Sequence, residues 1–268
     1  LSKKIMNGQE IAREIEKKGG MINAFTSEEH TCYWNKLPSK YIETGLNIAS
    51  DLILNPRFDE KEFEKEKKVI LEEIKMYHDN PRIYVAEKIK SLLYKKPFGE
   101  FGAGTIKTVK SLARQQVLEI FNKNYSTDNM ILCVVGDADF EEICRFGEKF
   151  PIKKRNLLEK SPAKINSQLV EKRKGIDQSH FVFGFHIPSL TDARRYDYEI
   201  MMTHLVGGMS SVLFNEIREK RGLAYAVKGE VDIGVNYGYS TIYIGTAKEK
   251  IKEIKGIILK EIKNLNSL

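Results

Sequence analysis

Apolar positions along this chain switch between two periods, and the switches predict its elements. In residues 8–18 Ile11 and Ile15 recur at i,i+4 and Gly19-Gly20 follows, the pattern of a helix with a glycine stop. Residues 21–27 and 30–37 are rich in β-branched and aromatic side chains about Ser27-Glu28-Glu29, a hairpin. Pro38 opens a second helix whose stripe is Ile42, Leu46, Ala49 and Ile53, and Asn55-Pro56 closes it. From Glu62 to His78 the helical period continues, with Phe63, Ile70, Ile74 and Tyr77 inside an arc of about 60°. Asp79-Asn80-Pro81 breaks it before another amphipathic helix over 82–94. Residues 96–105 hold glycines and a proline without a following GK[ST], which fits a mobile loop better than a phosphate cradle. Helix is expected again over 108–122, a short apolar strand over NMILCVVGD at 129–137, and a helix over 140–149.

From Pro151 to Gln168 the composition turns to Lys, Asn, Ser and Pro without periodicity, so 151–167 is expected to link a domain at 1–150 to one at 168–268. Beyond it the order begins again. Strands are expected near 168–173 and 180–187, a helix over 191–206, Gly207-Gly208, a short helix through Arg218, strands over 223–233 and 237–245, and a last helix over 248–265. Strands followed by helices in both halves give an α+β class with mainly antiparallel sheets and helices on one face.

Composition narrows the function. Hydrophobic residues make up 41% and charged residues 30% of 268, and no apolar run reaches the ~20 residues of a membrane helix, so no membrane partner is expected. The net charge of +7 is spread over helices in which lysines alternate with glutamates, a solvated surface rather than the basic patch that nucleic acid requires. Cys32, Cys133 and Cys144 are widely spaced and odd in number, which suits a reducing compartment, and Cys133 and Cys144 read as small core residues. The candidate chemistry lies on the helix 62–78. Glu66 and Glu73 fall about 40° and 60° from Ile70 on one side, at the edge of the apolar arc. Carboxylates drawn toward a core require a cation, basic groups or a metal; the alternative is a pair of boundary residues whose stems lie on the core while the charges reach water.

The ordered stretches GGMINAFTSEEHTCYW, EKEKKVILEEIKMYHDNP, VVGD and FNEIREKRGLAYAV resemble the pitrilysin/insulinase family of zinc metallopeptidases, which includes mitochondrial processing peptidase. The resemblance covers essentially the whole chain. It implies two homologous α+β domains and an inverted zinc motif, HxxEH, on the first. It also implies a distal glutamate ligand, which maps to Glu73, and a supporting glutamate, which maps to Glu66. Asn23, Ala24, Phe25 and Thr26 match the family's edge strand, to which substrate backbone can add. Arg218 and Tyr225 match its substrate-binding arginine and tyrosine, whose donors can hold a developing oxyanion; Arg221 is the neighbour a register slip would choose.

The departure is at the metal. None of the five histidines, His30, His78, His180, His186 and His204, forms an HxxEH, and family spacing puts the second zinc histidine just upstream of Leu1. The resemblance therefore implies a zinc endopeptidase of which this chain is a fragment inactive by itself, acting on peptide or unfolded polypeptide as a homo- or heterodimer; the cysteine usage adds the expectation of a cytoplasmic location. The alternative is a non-catalytic substrate-binding or structural subunit of a heterodimeric peptidase. His30 and His78 read as turn and helix-end residues rather than replacement ligands.

Overall fold

A computed structural model describes residues 7–151 and 161–265. Packing divides the chain into two compact units. One holds the chain up to Lys68 and resumes at Lys110; the other holds Val69–Val109 and the chain beyond the 152–160 stretch. This grouping by contact is a different quantity from the sequential division at 151–167.

In the first unit α1 (Gly8–Glu16) starts on an Asn7–Glu10 capping box, buries Ile15 completely and stops before Gly19, whose φ of 73° only glycine adopts readily. The antiparallel hairpin of β1 (Met21–Thr26) and β2 (Thr31–Lys36) follows, with Asn23 opposite Trp34. A 3-10 turn at Ser39–Tyr41 leads into α2 (Ile42–Leu54), which turns Gly45 and Ile48 inward; Asn35 of β2 donates to the Gly45 carbonyl at 3.0 Å. Next comes α3 (Glu60–Asp79), begun where the Asp59 carboxylate accepts from the Lys61 and Glu62 amides.

The second unit is built on a three-stranded antiparallel sheet of β3 (Ser179–His186), β4 (Ala224–Ile233) and β5 (Gly238–Thr246), in the order β3-β5-β4. Ile242 and Ile244 of β5 are fully buried. They pack with α8 (Arg195–Val206), a π-helical turn at Phe214–Glu219 and α9 (Ile251–Asn264). At Gly229 the fit is so close that a Cβ would come within 1.9 Å of Val206 on α8. The opposite sheet face carries α4 (Pro81–Leu93), whose first turn Asn80 caps and whose Ile89 and Leu93 press against Gly184. Just beyond α4 the buried Tyr94 hydroxyl donates to the Gly238 carbonyl at 2.9 Å and accepts from the Gly238 amide at 3.3 Å.

Several expectations are corrected. The helix expected over 108–122 is two, α5 (Ile106–Ser111) and α6 (Arg114–Asn124): Lys67 takes the Leu112 carbonyl, and Gln116 accepts from the Ala113 amide to start a new helix. Residues 129–137 are not a strand, and Ile131 and Val135 are 94% and 93% exposed. Apolar composition expresses a demand for burial, but a strand also requires ladder partners, and the sheet of β1 and β2 offers none to this stretch among the described residues. Residues 168–173 likewise form no strand. The stretch before them is tied to the end of α4, with the Lys95 amide donating to Ala163, Ile165 to Leu93 and Ser167 to Leu92. Cys133 and Cys144 are exposed rather than core residues, the first for want of a ladder and the second because α7 (Phe140–Gly147) turns Phe146 inward instead.

A last local feature fixes the π-helical turn. The Glu216 carboxylate binds the side chains of Lys220 and Arg221, and Arg221 also donates to the Glu216 carbonyl at 2.7 Å. Those two cations, Lys220 first, hold the Glu216 carboxyl down at about 2 against an ordinary 4.5. The stabilisation this adds is present above the ordinary carboxylate range and lost as pH falls through the depressed value. Titration of Glu216 by NMR is expected to show that low midpoint, and Arg221→Ala to raise it while Arg218→Ala leaves it in place. Equal responses to both changes would contradict the pairing. Tyr94→Phe, which leaves both Gly238 groups without their partner, is expected to cost about 1–3 kcal/mol in denaturant unfolding, and an unchanged midpoint would contradict the bridge.

Candidate functional site

Helix α3 places the two candidate acids. Its inward residues are Phe63, Lys67, Ile70, Leu71, Ile74 and Tyr77, with Ile74 the buried one. Lys67 and Leu71 widen the stripe on the side away from the acids, so its centre is Ile74 rather than Ile70. Glu66 and Glu73 then lie about 80° and 100° from that centre, and both are exposed. The expectation of carboxylates drawn into a core is corrected accordingly: they stand on the solvent face.

Their surroundings set them apart from three acids of the same helix, though Glu60 in its first turn is likewise without an ion pair among the described residues. Glu62, Glu64 and Glu72 pair with Lys65, Lys67 and Lys75, each three residues on. Glu66 and Glu73 have no ion pair among the described residues. They point within about 20° of each other and are separated by about 10.5 Å along the axis. Val69 and Met76, 44% and 56% exposed, share this side of the helix. Two turns exceed the reach of neighbouring side chains, so Glu66 can support Glu73 only through an intervening group.

Arg218 lies on the π-helical turn with its guanidinium over the Phe214 ring at 4.9 Å and a loose 3.9 Å contact to Glu219. Arg221 is committed to Glu216. Of the two arginines, Arg218 is therefore the one with donors to offer a ligand. The turn's end is bonded back, Gly222 amide to Arg218 carbonyl and Leu223 amide to Ile217 carbonyl, and leads at once into β4 with Tyr225, which is 47% exposed. Asn23, Ala24, Phe25 and Thr26 stand exposed on β1. Its one partner among the described residues is β2, so its other edge is unpaired there. Asn23 accepts from the Ala24 amide at 2.8 Å, and Phe25 packs edge-on against His30 at 5.7 Å.

His30 and His78 are otherwise engaged. His30 Nδ1 is bonded to Ser27, and His78 Nε2 lies 3.1 Å from Arg173, which also donates to the His78 carbonyl at 2.7 Å. No group of three His, Cys, Asp or Glu among the described residues could hold a metal ion. Zinc requires about three protein ligands with an open position, so these residues do not fit zinc as a complete site; Glu73 is a single candidate ligand. No helix among the described residues is long and apolar enough to cross a membrane. Sequence reasoning missed the environment of Tyr225, where Tyr243 approaches its hydroxyl and His180 in turn approaches that of Tyr243; the signal was Gly245 inside the strand, after the apolar run Ile242-Tyr243-Ile244.

The comparisons with known proteins agree with this architecture. The family model for insulinase, peptidase family M16, matches residues 1–105, and that for the peptidase M16 inactive domain matches residues 111–267. An uncharacterized zinc protease of Rickettsia bellii is 34% identical over 266 residues, covering 98% of this chain and 65% of that protein. The uncharacterized zinc protease YmxG of Bacillus subtilis is 30% identical, over 97% of this chain and 64% of its own length. The chain thus spans a little under two thirds of these relatives. Among solved structures, a peptidase M16 inactive domain from Pseudomonas fluorescens superposes with a TM-score of 0.86 at 18% identity, and a protease from Helicobacter pylori with 0.84 at 21%; each match covers 97% of this chain and 66% of the other. At such identities the structures establish the fold, and the family models carry the assignment: the chain belongs to peptidase family M16, the insulinase family.

Proposed function

We propose that this chain is part of a zinc-dependent metalloendopeptidase acting on peptides or unfolded polypeptide, and that by itself it is inactive. In this reading Glu73 is a zinc ligand supplied by α3, and Glu66 holds it in place through an intervening group. The free edge of β1 at Asn23–Thr26 takes up substrate backbone. Arg218 and Tyr225 donate to the substrate carbonyl, where negative charge develops during attack. Zinc in such a site lowers the pKa of its bound water toward neutrality. No hydrolytic step is assigned to the described residues, which offer that ion one ligand.

The observation that carries the reading is the charge pattern of α3. Its neighbouring acids are neutralised by lysines at i,i+3, whereas Glu66 and Glu73 stand exposed and unpaired among the described residues, on a chain whose relatives are named zinc proteases. A second reading, a non-catalytic subunit that binds substrate or supports a peptidase partner, is favoured by the match of residues 111–267 to the inactive-domain model.

Hydrolysis assays separate the two. The 268-residue chain supplied with zinc is expected not to cleave an unfolded peptide, and chelator-sensitive cleavage by it would contradict the proposal. The full-length protein encoded by the gene is expected to cleave it with zinc bound. There Glu66→Gln is expected to weaken zinc binding about 10- to 100-fold and Glu73→Gln to weaken it further. A full-length protein that retains neither zinc nor activity would establish the second reading.

A further inference from the structure

Tyr225 is the extra residue of a β-bulge. Ala224 stands opposite Thr246 and Ala226 opposite Gly245, so one residue of β4 has no counterpart on β5. Along β5 the side chains alternate, with Ile242 and Ile244 in the helix-covered core and Tyr243 and Gly245 on the other face. The bulge lets Tyr225 lie with the second set. Its ring rests on Gly245: a Cβ there would fall 2.3 to 2.5 Å from ring atoms Cζ and Cε1 and from the hydroxyl oxygen. No residue with a side chain fits at 245 while the ring keeps this place.

The hydroxyl is held as well. It lies 3.3 Å from the Tyr243 hydroxyl, which lies 2.8 Å from Nδ1 of His180 on β3. His180 stands opposite Gly245 and Tyr243 opposite Val182, so the three side chains share one sheet face. From α4 the Arg82 guanidinium sits over the Tyr243 ring at 5.3 Å. Each phenol has a single proton. When His180 Nδ1 donates to Tyr243, Tyr243 spends its proton on the Tyr225 oxygen, and the Tyr225 proton is left to point away from the sheet. Tyr225 then presents a donor rather than a freely turning hydroxyl.

We infer that Gly245, Tyr243 and His180 are positioning residues for Tyr225: the glycine seats its ring, and the two side chains orient its hydroxyl to donate to a substrate carbonyl. The inference rests on the proposed reading of Tyr225 as a carbonyl donor and adds how that donor is aimed. Such aiming matters because a small misplacement of a reacting group is costly in rate.

The test is steady-state cleavage of an unfolded peptide by the full-length protein, with melting curves as a control for folding. Tyr225→Phe is expected to lower kcat about 100-fold or more, the effect of losing one oxyanion donor. Tyr243→Phe and Gly245→Ala are each expected to lower kcat about 10- to 100-fold with little change in KM, and neither should add to the loss in a Tyr225→Phe background. Tyr243→Phe keeps the ring and so preserves the test if Gly245→Ala does not fold. In the 268-residue chain, Tyr243→Phe is also expected to move the 13Cζ resonance of Tyr225. A full loss in Tyr225→Phe with kcat unchanged in the other two would overturn the inference and spare the reading of Tyr225. No loss in Tyr225→Phe would overturn that reading, and the inference with it. Losses that persist additively in the Tyr225→Phe background would also overturn it, because they would be structural rather than routed through the hydroxyl.

Discussion

Strand β5 is constrained on every side, and the second unit is arranged by that constraint. Its two edges are hydrogen-bonded to β3 and β4, one face carries Ile242 and Ile244 into a core with α8 and α9, and the Tyr94 hydroxyl bonds both backbone groups of Gly238 at its start. A strand so enclosed cannot slip in register without moving its apolar set to the wrong face. The irregularity therefore appears on the edge strand β4, as the bulge at Tyr225. A packed, regular centre thus makes an exposed, irregular rim possible, and the candidate donor residues lie on that rim and on the π-helical turn that precedes it.

Helix α3 shows the same separation of structure from chemistry on a single element. Its inward stripe, centred on Ile74, accounts for packing, and its lysine pairs account for most of the outward charge. Surface pairs of this kind contribute little to stability. What they do is leave Glu66 and Glu73, with Glu60 at the helix start, without a lysine partner among the described residues, and of these Glu66 and Glu73 are aligned along the axis. Packing gives no reason for that pairing pattern, and the proposed metal role does.

Much of this was legible in the sequence. The hairpin, α2, α3, α4, β3 to β5 and α9 follow from periodicity and from capping residues such as Asn80-Pro81 and Gly19, because those signals act locally. Residues 129–137 and 168–173 misled because an apolar run does not specify which strand it pairs with. The break at Leu112-Ala113 depends on Lys67, distant in sequence. At α3 the error was geometric. Leaving Lys67 and Leu71 out of the stripe shifted it toward the acids, whereas Leu71 is part-buried and the aliphatic stem of Lys67 lies inward while its amine reaches the Leu112 carbonyl. The roles of Arg218, Tyr225, Glu66 and Glu73 came from ordered motifs rather than from periodicity. The bulge that aims Tyr225 was hidden, since strict alternation assumes that no residue is extra.

The central claim is that the exposed carboxylate of Glu73 belongs to a zinc ion. Anomalous diffraction at the zinc edge on crystals of the full-length protein tests it most directly. The account predicts a peak about 2.0–2.2 Å from a Glu73 carboxylate oxygen, with Glu66 outside the coordination sphere. A zinc peak remote from Glu73, with that side chain still turned to solvent, would contradict it.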